Sequence, residues 1–301
     1  MKTIPVEVVK KISDREFDQF YLKPQKPVVL KGLTDETSAG KKWNIDYINH
    51  VCGDVMVDVY DNANPNSASA FTTPDLKMKF GDYVNTLLRD EPSTLRMFLF
   101  NMFAVRPALR KDFPCPSIIK GIMGRAGFMF FGAKGVNVRI HQDMDMSNVI
   151  LTQFYGRKKV VLVSPNYSRL LYKLPYNTHS LVDLDHPDYE KYPGLRHVPT
   201  MECILEPGDS LFIPSGYWHY ITYLESGFSV SYRKIAQTLD FQLLGFLSLC
   251  IYMPFDKMMN KLLGKIWLHT KEDLAVRRAN RDLHKMRQHR RQLDLRDLLP
   301  H

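Results

Sequence analysis

Two segments carry the residue types best suited to chemistry. The first is His141-Gln142-Asp143. The second is Glu206-Pro-Gly-Asp-Ser-Leu-Phe-Ile-Pro-Ser-Gly-Tyr-Trp-His219. Together they offer two imidazoles and one carboxylate. That ligand set holds Fe(II) on one face of an octahedron and leaves the opposite face open for a co-substrate and oxygen. His141 and Asp143 have the same parity, so an extended backbone points both to one face. In a barrel that face is the interior, where a charged group needs a partner such as a metal. His-x-Asp alone is a weak signal in a chain with 10 histidines. The context of His219 strengthens it. Pro207-Gly208-Asp209 reads as a tight turn and Leu211-Phe212-Ile213 as a buried strand. A second turn at 214–216 then sets Trp218-His219 at the start of the next strand.

Such ligands need a rigid frame. Candidate strands fall at 127–131, 136–141, 148–155, 158–164, 203–205, 210–213, 218–224 and 228–233. They are short, separated by Gly or Pro turns, and rich in β-branched and aromatic residues, which predicts a sandwich or barrel. The stretch 165–200 reads as an excursion between two strands. Upstream, Ser13 with Glu16 forms a capping box, and Phe17, Phe20 and Tyr21 have helical spacing until Pro24 and Pro27. A buried strand at 28–30 turns at Gly32. Helices are expected at 43–51 and 80–88, and strands at 55–60 and 97–102. The segment 61–75 is a polar loop, and 106–126 is loop with short helical pieces. From Ala236 onward the pattern is helical. Leu243, Leu244, Leu247 and Ile251 recur at helix spacing, and a second helix is expected at 256–268. A final basic stretch carries Arg277, Arg278, Arg281, Lys285, Arg287, Arg290 and Arg291. The organisation expected is an N-terminal α/β region at 1–126 packed on the barrel, a barrel core at 127–235 and a helical region at 236–301.

Composition narrows the class. With 301 residues, 45% of them hydrophobic, the chain can bury a large core. Its four cysteines are widely spaced and form no CxxC pair. That excludes a zinc finger and argues against a disulfide framework. The N-terminus has early charges and no long apolar run after them, unlike a secretory signal. The most apolar run, 243–255, is shorter than the roughly 20 residues a spanning helix needs. These features predict a soluble, cytoplasmic protein. The net charge of +9 permits acidic partners without demonstrating one.

Several further strings accompany the ligand set. They are Pro27-Val-Val-Leu30 with Gly32, Phe131-Gly132, Gln153-x-x-Gly156-Arg-Lys158, Leu162-x-Ser-Pro165, Ser180-x-Val-Asp183-x-x-x-Pro187-Asp188, Tyr192-Pro193 and Ser229-Val-Ser231. Over residues 13–235 the chain resembles the JmjC-type, cupin-like Fe(II)/2-oxoglutarate oxygenases, the small hydroxylases more than the large histone demethylases. The resemblance implies a mainly β fold with flanking helices: a double-stranded β-helix (cupin or jelly-roll) core plus C-terminal helices. It implies His141, Asp143 and His219 on iron and Lys158 on the distal carboxylate of 2-oxoglutarate. Asn148 lines the co-substrate pocket in this reading, although the family's asparagine lies one residue nearer the first histidine. The activity implied is hydroxylation of a protein side chain, with 2-oxoglutarate and O2 as co-substrates. Two alternatives stand beside it: an oxygenase of small molecules or nucleic acid, and a non-catalytic cupin-like binding protein. A homodimer through the C-terminal helices is also implied. The basic stretch 277–291 suits nucleic acid or a membrane surface, against the plainer reading of a solvated helix face.

Two departures from the family pattern stand out. Val138 occupies a position where relatives often place Thr or Ser, and Phe98 one where they often place Tyr. Asp209 reads as a turn cap. His179, His186 and His197 read as surface or structural residues.

Overall fold

The computed structural model describes residues 1–61, 74–89, 93–121 and 127–297, with side chains as far as 288. Most of the polar loop expected at 61–75, and the end of the loop at 106–126, lie outside the described residues.

The N-terminal region begins with two short strands, β1 (Thr3–Pro5) and β2 (Glu7–Val9). Ser13 and Glu16 cap α1 (Asp14–Phe17) reciprocally, and the chain widens into a π turn at Asp18–Leu22. Strand β3 (Val28–Leu30) is buried throughout and turns at Gly32, whose φ of +82° favours glycine. Then come α2 (Ser38–Lys42), α3 (Ile45–Cys52) capped by Asn44, β4 (Met56–Asp61), β5 (Leu76–Lys79) and α4 (Phe80–Leu88). Strand β6 (Leu95–Phe100) and the short helices α5 (Met102–Val105) and α6 (Leu109–Asp112) complete this region.

Eight strands follow: β7 (Phe128–Gly132), β8 (Asn137–His141), β9 (Asn148–Tyr155), β10 (Lys158–Val163), β11 (Thr200–Leu205), β12 (Ser210–Ile213), β13 (Trp218–Tyr223) and β14 (Gly227–Lys234). They distribute over two facing sheets of a cupin-like domain. One has the order β1-β11-β10-β13-β8, the other β2-β3-β12-β9-β14-β7-β6-β4-β5. The N-terminal strands extend both sheets, so residues 1–126 share the barrel's hydrogen-bond ladders. Trp43, Phe113 and Phe154 pack where the N-terminal helices meet the larger sheet. The Trp43 and Phe113 rings each lie about 5 Å from Phe154, at 4.9 and 5.0 Å. Each such side chain contributes roughly 1.5–3 kcal/mol through burial.

The C-terminal helices are α7 (Leu239–Leu247), a π turn at Ser248–Tyr252, α8 (Met253–Leu263) and α9 (Lys265–Asp297). The structure corrects the boundary expected at 256–268. Pro254 lies in the first turn of α8, where a missing N–H costs little, so helical structure runs on through it. Gly264 at φ +52° separates α8 from α9. Leu239–Leu263 is thus 25 residues long, with a mean hydropathy of 1.2 in its most apolar window. By length and composition it is able to cross a bilayer, in contrast to the 13-residue run read from the sequence. Yet α7 is seated on the barrel. A Cβ on Gly245 would come within 2.5 Å of the Asp145 carbonyl oxygen, so only glycine permits this approach. Farther along, the buried Asp256 carboxylate accepts from Lys271 Nζ at 2.6 Å, Trp267 Nε1 at 2.7 Å and Asn177 Nδ2 at 3.0 Å. That cluster ties α8 and α9 to the excursion. The outer face, with Leu239, Leu243, Phe246, Leu262 and Ile266, is exposed.

Candidate metal centre

Strand β8 ends on His141, and β13 begins with Trp218-His219. In the antiparallel ladder the two histidines are direct partners. The next residues of the first segment stay in place because the Gln142 N–H donates to the Thr178 carbonyl at 2.9 Å. One ligand atom from each of His141, Asp143 and His219 lies within 4.8 Å of the others. The two imidazole centroids are 4.2 Å apart. His141 Nδ1 sits 2.8 Å from the Arg139 carbonyl oxygen, and His219 Nδ1 sits 3.3 Å from that of Tyr217. A carbonyl oxygen only accepts, so Nδ1 carries the proton in both rings. That leaves both Nε2 lone pairs for a metal. Burial, then the neighbouring His219 and His179, hold His141 well below the ordinary histidine range. It is the neutral, ligating form at neutral pH.

Arg233 reaches across from β14 in the opposite sheet. Its Nη2 donates to Asp143 at 3.1 Å, and its Nη1 to Asp145 at 2.9 Å and Ser147 Oγ at 3.2 Å. Burial alone would raise the Asp143 carboxyl. Arg233, followed by His219 and His141, outweighs it and holds the group well below the usual carboxylate range. The carboxylate is therefore ionised and ready to ligate.

Lys158 opens β10 opposite Tyr223. Its side chain is 1% exposed and points between the sheets. The ammonium donates to Ser229 Oγ on β14 at 2.6 Å and lies 4.2 Å from the centroid of the Tyr223 ring. No carboxylate meets it among the described residues. Ser229, Ser231 and Arg233 alternate along the inward face of β14, so this strand leads from the lysine to the triad. Between the two ends, the buried Ser231 hydroxyl has no hydrogen-bond partner among the described residues. A buried hydroxyl without a partner is uncommon and fits a site built for a polar ligand. The donor set suits a divalent metal at the triad and an anion reaching toward Lys158.

The structure brings His141, Asp143 and His219 together, as the sequence predicts. Asn148 is fully buried. Its Oδ1 accepts from Gln25 Nε2 and from the Ser215 N–H, both at 3.1 Å, and its Nδ2 donates to the Ile235 carbonyl at 3.4 Å. None of these is a triad residue; the amide braces the turn that precedes His219. Val138 pairs with Ile221 and packs on the core. The Phe98 ring lies 4.3 Å from Tyr60. Asp209 caps its own turn, accepting from the Glu206 N–H at 3.1 Å and from Lys31 at 2.7 Å. His186 and His197 are exposed. His179 is built in: it forms a β-bridge with His141, and the two rings stack 5.7 Å apart.

Sequence reasoning missed Tyr223 and Arg96. Arg96 is 7% exposed and lies close to Tyr223 and Tyr83. A lone cation in the otherwise apolar strand Leu95–Phe100 was the available signal for it.

Known proteins resemble this chain in sequence. The cupin-like domain family matches residues 14–234. Lysine-specific demethylase 8 of Xenopus tropicalis is 32% identical over 230 residues, which cover 72% of this chain and 49% of that protein. The tRNA wybutosine-synthesizing protein 5 of Gallus gallus is 28% identical over 69% of this chain and 70% of that protein. JmjC domain-containing protein D of Dictyostelium discoideum is 27% identical over 74% of this chain and 56% of its own length. The chain thus spans about half the length of the demethylase it matches.

Proposed function

Because the chain belongs to the JmjC-type, cupin-like family, we propose that it is an Fe(II)- and 2-oxoglutarate-dependent oxygenase that hydroxylates a protein side chain. The observation that carries this reading is Lys158, a buried ammonium that meets no carboxylate among the described residues and lies in the same barrel interior as the triad. His141 and His219 offer Nε2 lone pairs whose direction is set by their backbone hydrogen bonds. Asp143 offers an ionised carboxylate. Those three residues would hold the iron. When bound, iron supplies the oxidation, in which one atom of O2 enters the substrate C–H bond and the other enters succinate as 2-oxoglutarate loses carbon dioxide. Lys158 takes the distal carboxylate, and the Ser231 hydroxyl is placed to donate to the same molecule. The Tyr223 ring walls the lysine end against water. No side-chain base is required.

The test is succinate formation from 2-oxoglutarate by the full chain with Fe(II) and ascorbate and no added substrate. Slow uncoupled turnover is expected. Absence of turnover together with absence of calorimetric 2-oxoglutarate binding in the presence of metal would overturn the reading in favour of a binding protein. The two named substrates among the relatives, lysine and tRNA, set the next comparison: stimulation by peptide pools against stimulation by RNA.

Lys158 also sets a pH dependence. Burial pulls its ammonium down to about 7. Above that pH the ligand-free side chain is neutral, and a bound carboxylate restores its proton. Binding of 2-oxoglutarate at pH 8 should therefore take up nearly one proton, and affinity should fall by up to about tenfold per pH unit above 7. Calorimetry in two buffers of different ionisation heat measures this. Proton uptake near zero at pH 8 would remove Lys158 from the carboxylate site.

A further inference from the structure

A second recess lies behind the ligand-bearing segment. Gln142, between His141 and Asp143, is directed elsewhere: its Nε2 donates to the Gly216 carbonyl at 2.5 Å and its Oε1 accepts from Lys173 Nζ at 2.6 Å. Lys173 also lines a cleft of about 530 Å3 between the excursion and the C-terminal helices. A cleft of that volume accommodates a small-molecule ligand.

Its lining is cationic. Arg169 and Lys173 come from the excursion, Arg278 and Arg281 from α9. The one carboxylate in the lining is Asp282, which accepts from Arg169 at 3.2 Å. Arg278 and Arg281 form no ion pair among the described residues, and both are exposed. Lys173 is largely buried, and burial lowers its ammonium to about 8. An anion in the cleft would reverse that penalty.

Aromatic rings share the wall. Tyr176 is 41% exposed, with its ring 5.7 Å from that of Tyr252. Tyr172 and Tyr176, on either side of Lys173, both hold left-handed backbone at φ +56°. Strain of this kind in non-glycine residues persists where the surroundings impose it, and it concentrates at ligand sites. Four cations from two separate parts of the chain line the one recess. That geometry favours a compact phosphate over a polymer backbone, and an aromatic surface beside it suits a planar base.

We propose that this cleft binds a nucleoside phosphate, with Arg278 and Arg281 on the phosphates, Lys173 at the floor and Tyr176 against the base. The site adjoins the metal centre through Gln142 and through His179, which bonds Asn177 and stacks on His141, but its lining holds no triad residue, so the proposal does not rest on the oxygenase reading.

The experiment is calorimetric titration of the full chain with ATP at fixed ionic strength, beside inorganic tripolyphosphate and a single-stranded oligonucleotide. Saturable ATP binding is expected, weakened roughly tenfold or more by Arg278→Glu with Arg281→Glu. Lys173→Met should weaken it as well. Arg287→Glu, on the same helix but outside the cleft, should change it less than about twofold, with unaltered circular dichroism in every variant. Three results would overturn the proposal. The first is no saturable ATP binding. The second is tripolyphosphate binding as tightly as ATP, which removes the base contact. The third is oligonucleotide binding tighter than ATP and equally sensitive to Arg287→Glu, which makes the surface a general polyanion contact.

Discussion

Asp143→Ala should abolish succinate formation and lower metal affinity by more than about a hundredfold. Loss of a residue that merely orients a ligand typically costs about 10–100-fold in metal affinity, and a ligand itself contributes more. Asp143 is the only carboxylate of the triad and the group whose ionised form the surroundings most favour. The substitution should leave the fold intact, because Arg233 keeps Asp145 and Ser147 as partners. Equilibrium dialysis with Mn(II) reads metal affinity, and a thermal melt reads the fold. Retained metal affinity with an unchanged melt would show that Asp143 is not a ligand and that the ligand set is wrong.

Lys158→Met should separate activity from stability in opposite directions. Removing one member of a buried charge pair costs about 2–5 kcal/mol of binding. The KM for 2-oxoglutarate should therefore rise by about two orders of magnitude, with metal affinity unchanged. The protein alone should become more stable at neutral pH. A lysine whose folded pKa is depressed from 10.5 to about 7 destabilises the native state fully below pH 7, and the penalty fades as pH rises toward 10.5. Methionine keeps most of the length of the side chain and removes that penalty, which is worth several kcal/mol as an order of magnitude. A higher melting temperature at pH 7, shrinking toward pH 10, is the expected signature. A variant that is both less active and less stable would assign Lys158 to packing.

The meeting of His141, Asp143 and His219 was legible because their spacing encodes geometry. Parity placed His141 and Asp143 on one face, and the two turns around Leu211-Phe212-Ile213 delivered His219 to the start of a strand. The strands Asn148–Tyr155 and Ser210–Ile213 and the helix Phe80–Leu88 were read to the residue, since Gly, Pro and polarity changes bound them sharply. The contacts that complete the site were not legible. Arg233 meets Asp143 across two sheets, and His179 meets His141 from an irregular excursion; no local pattern encodes either pairing. The α8–α9 boundary was missed for the opposite reason. Met258, Leu262, Leu263 and Ile266 keep helical spacing, so periodicity ran straight across Gly264 where the backbone breaks.

Arg233 gives Asp143 and Asp145 a counter-charge from the chain itself. The barrel can therefore close around two acids without borrowing a cation from solution. In many small metal-binding domains the metal drives folding, and chelation unfolds them. Here Arg233 already pairs with both acids, so the fold does not wait on a metal to supply that charge.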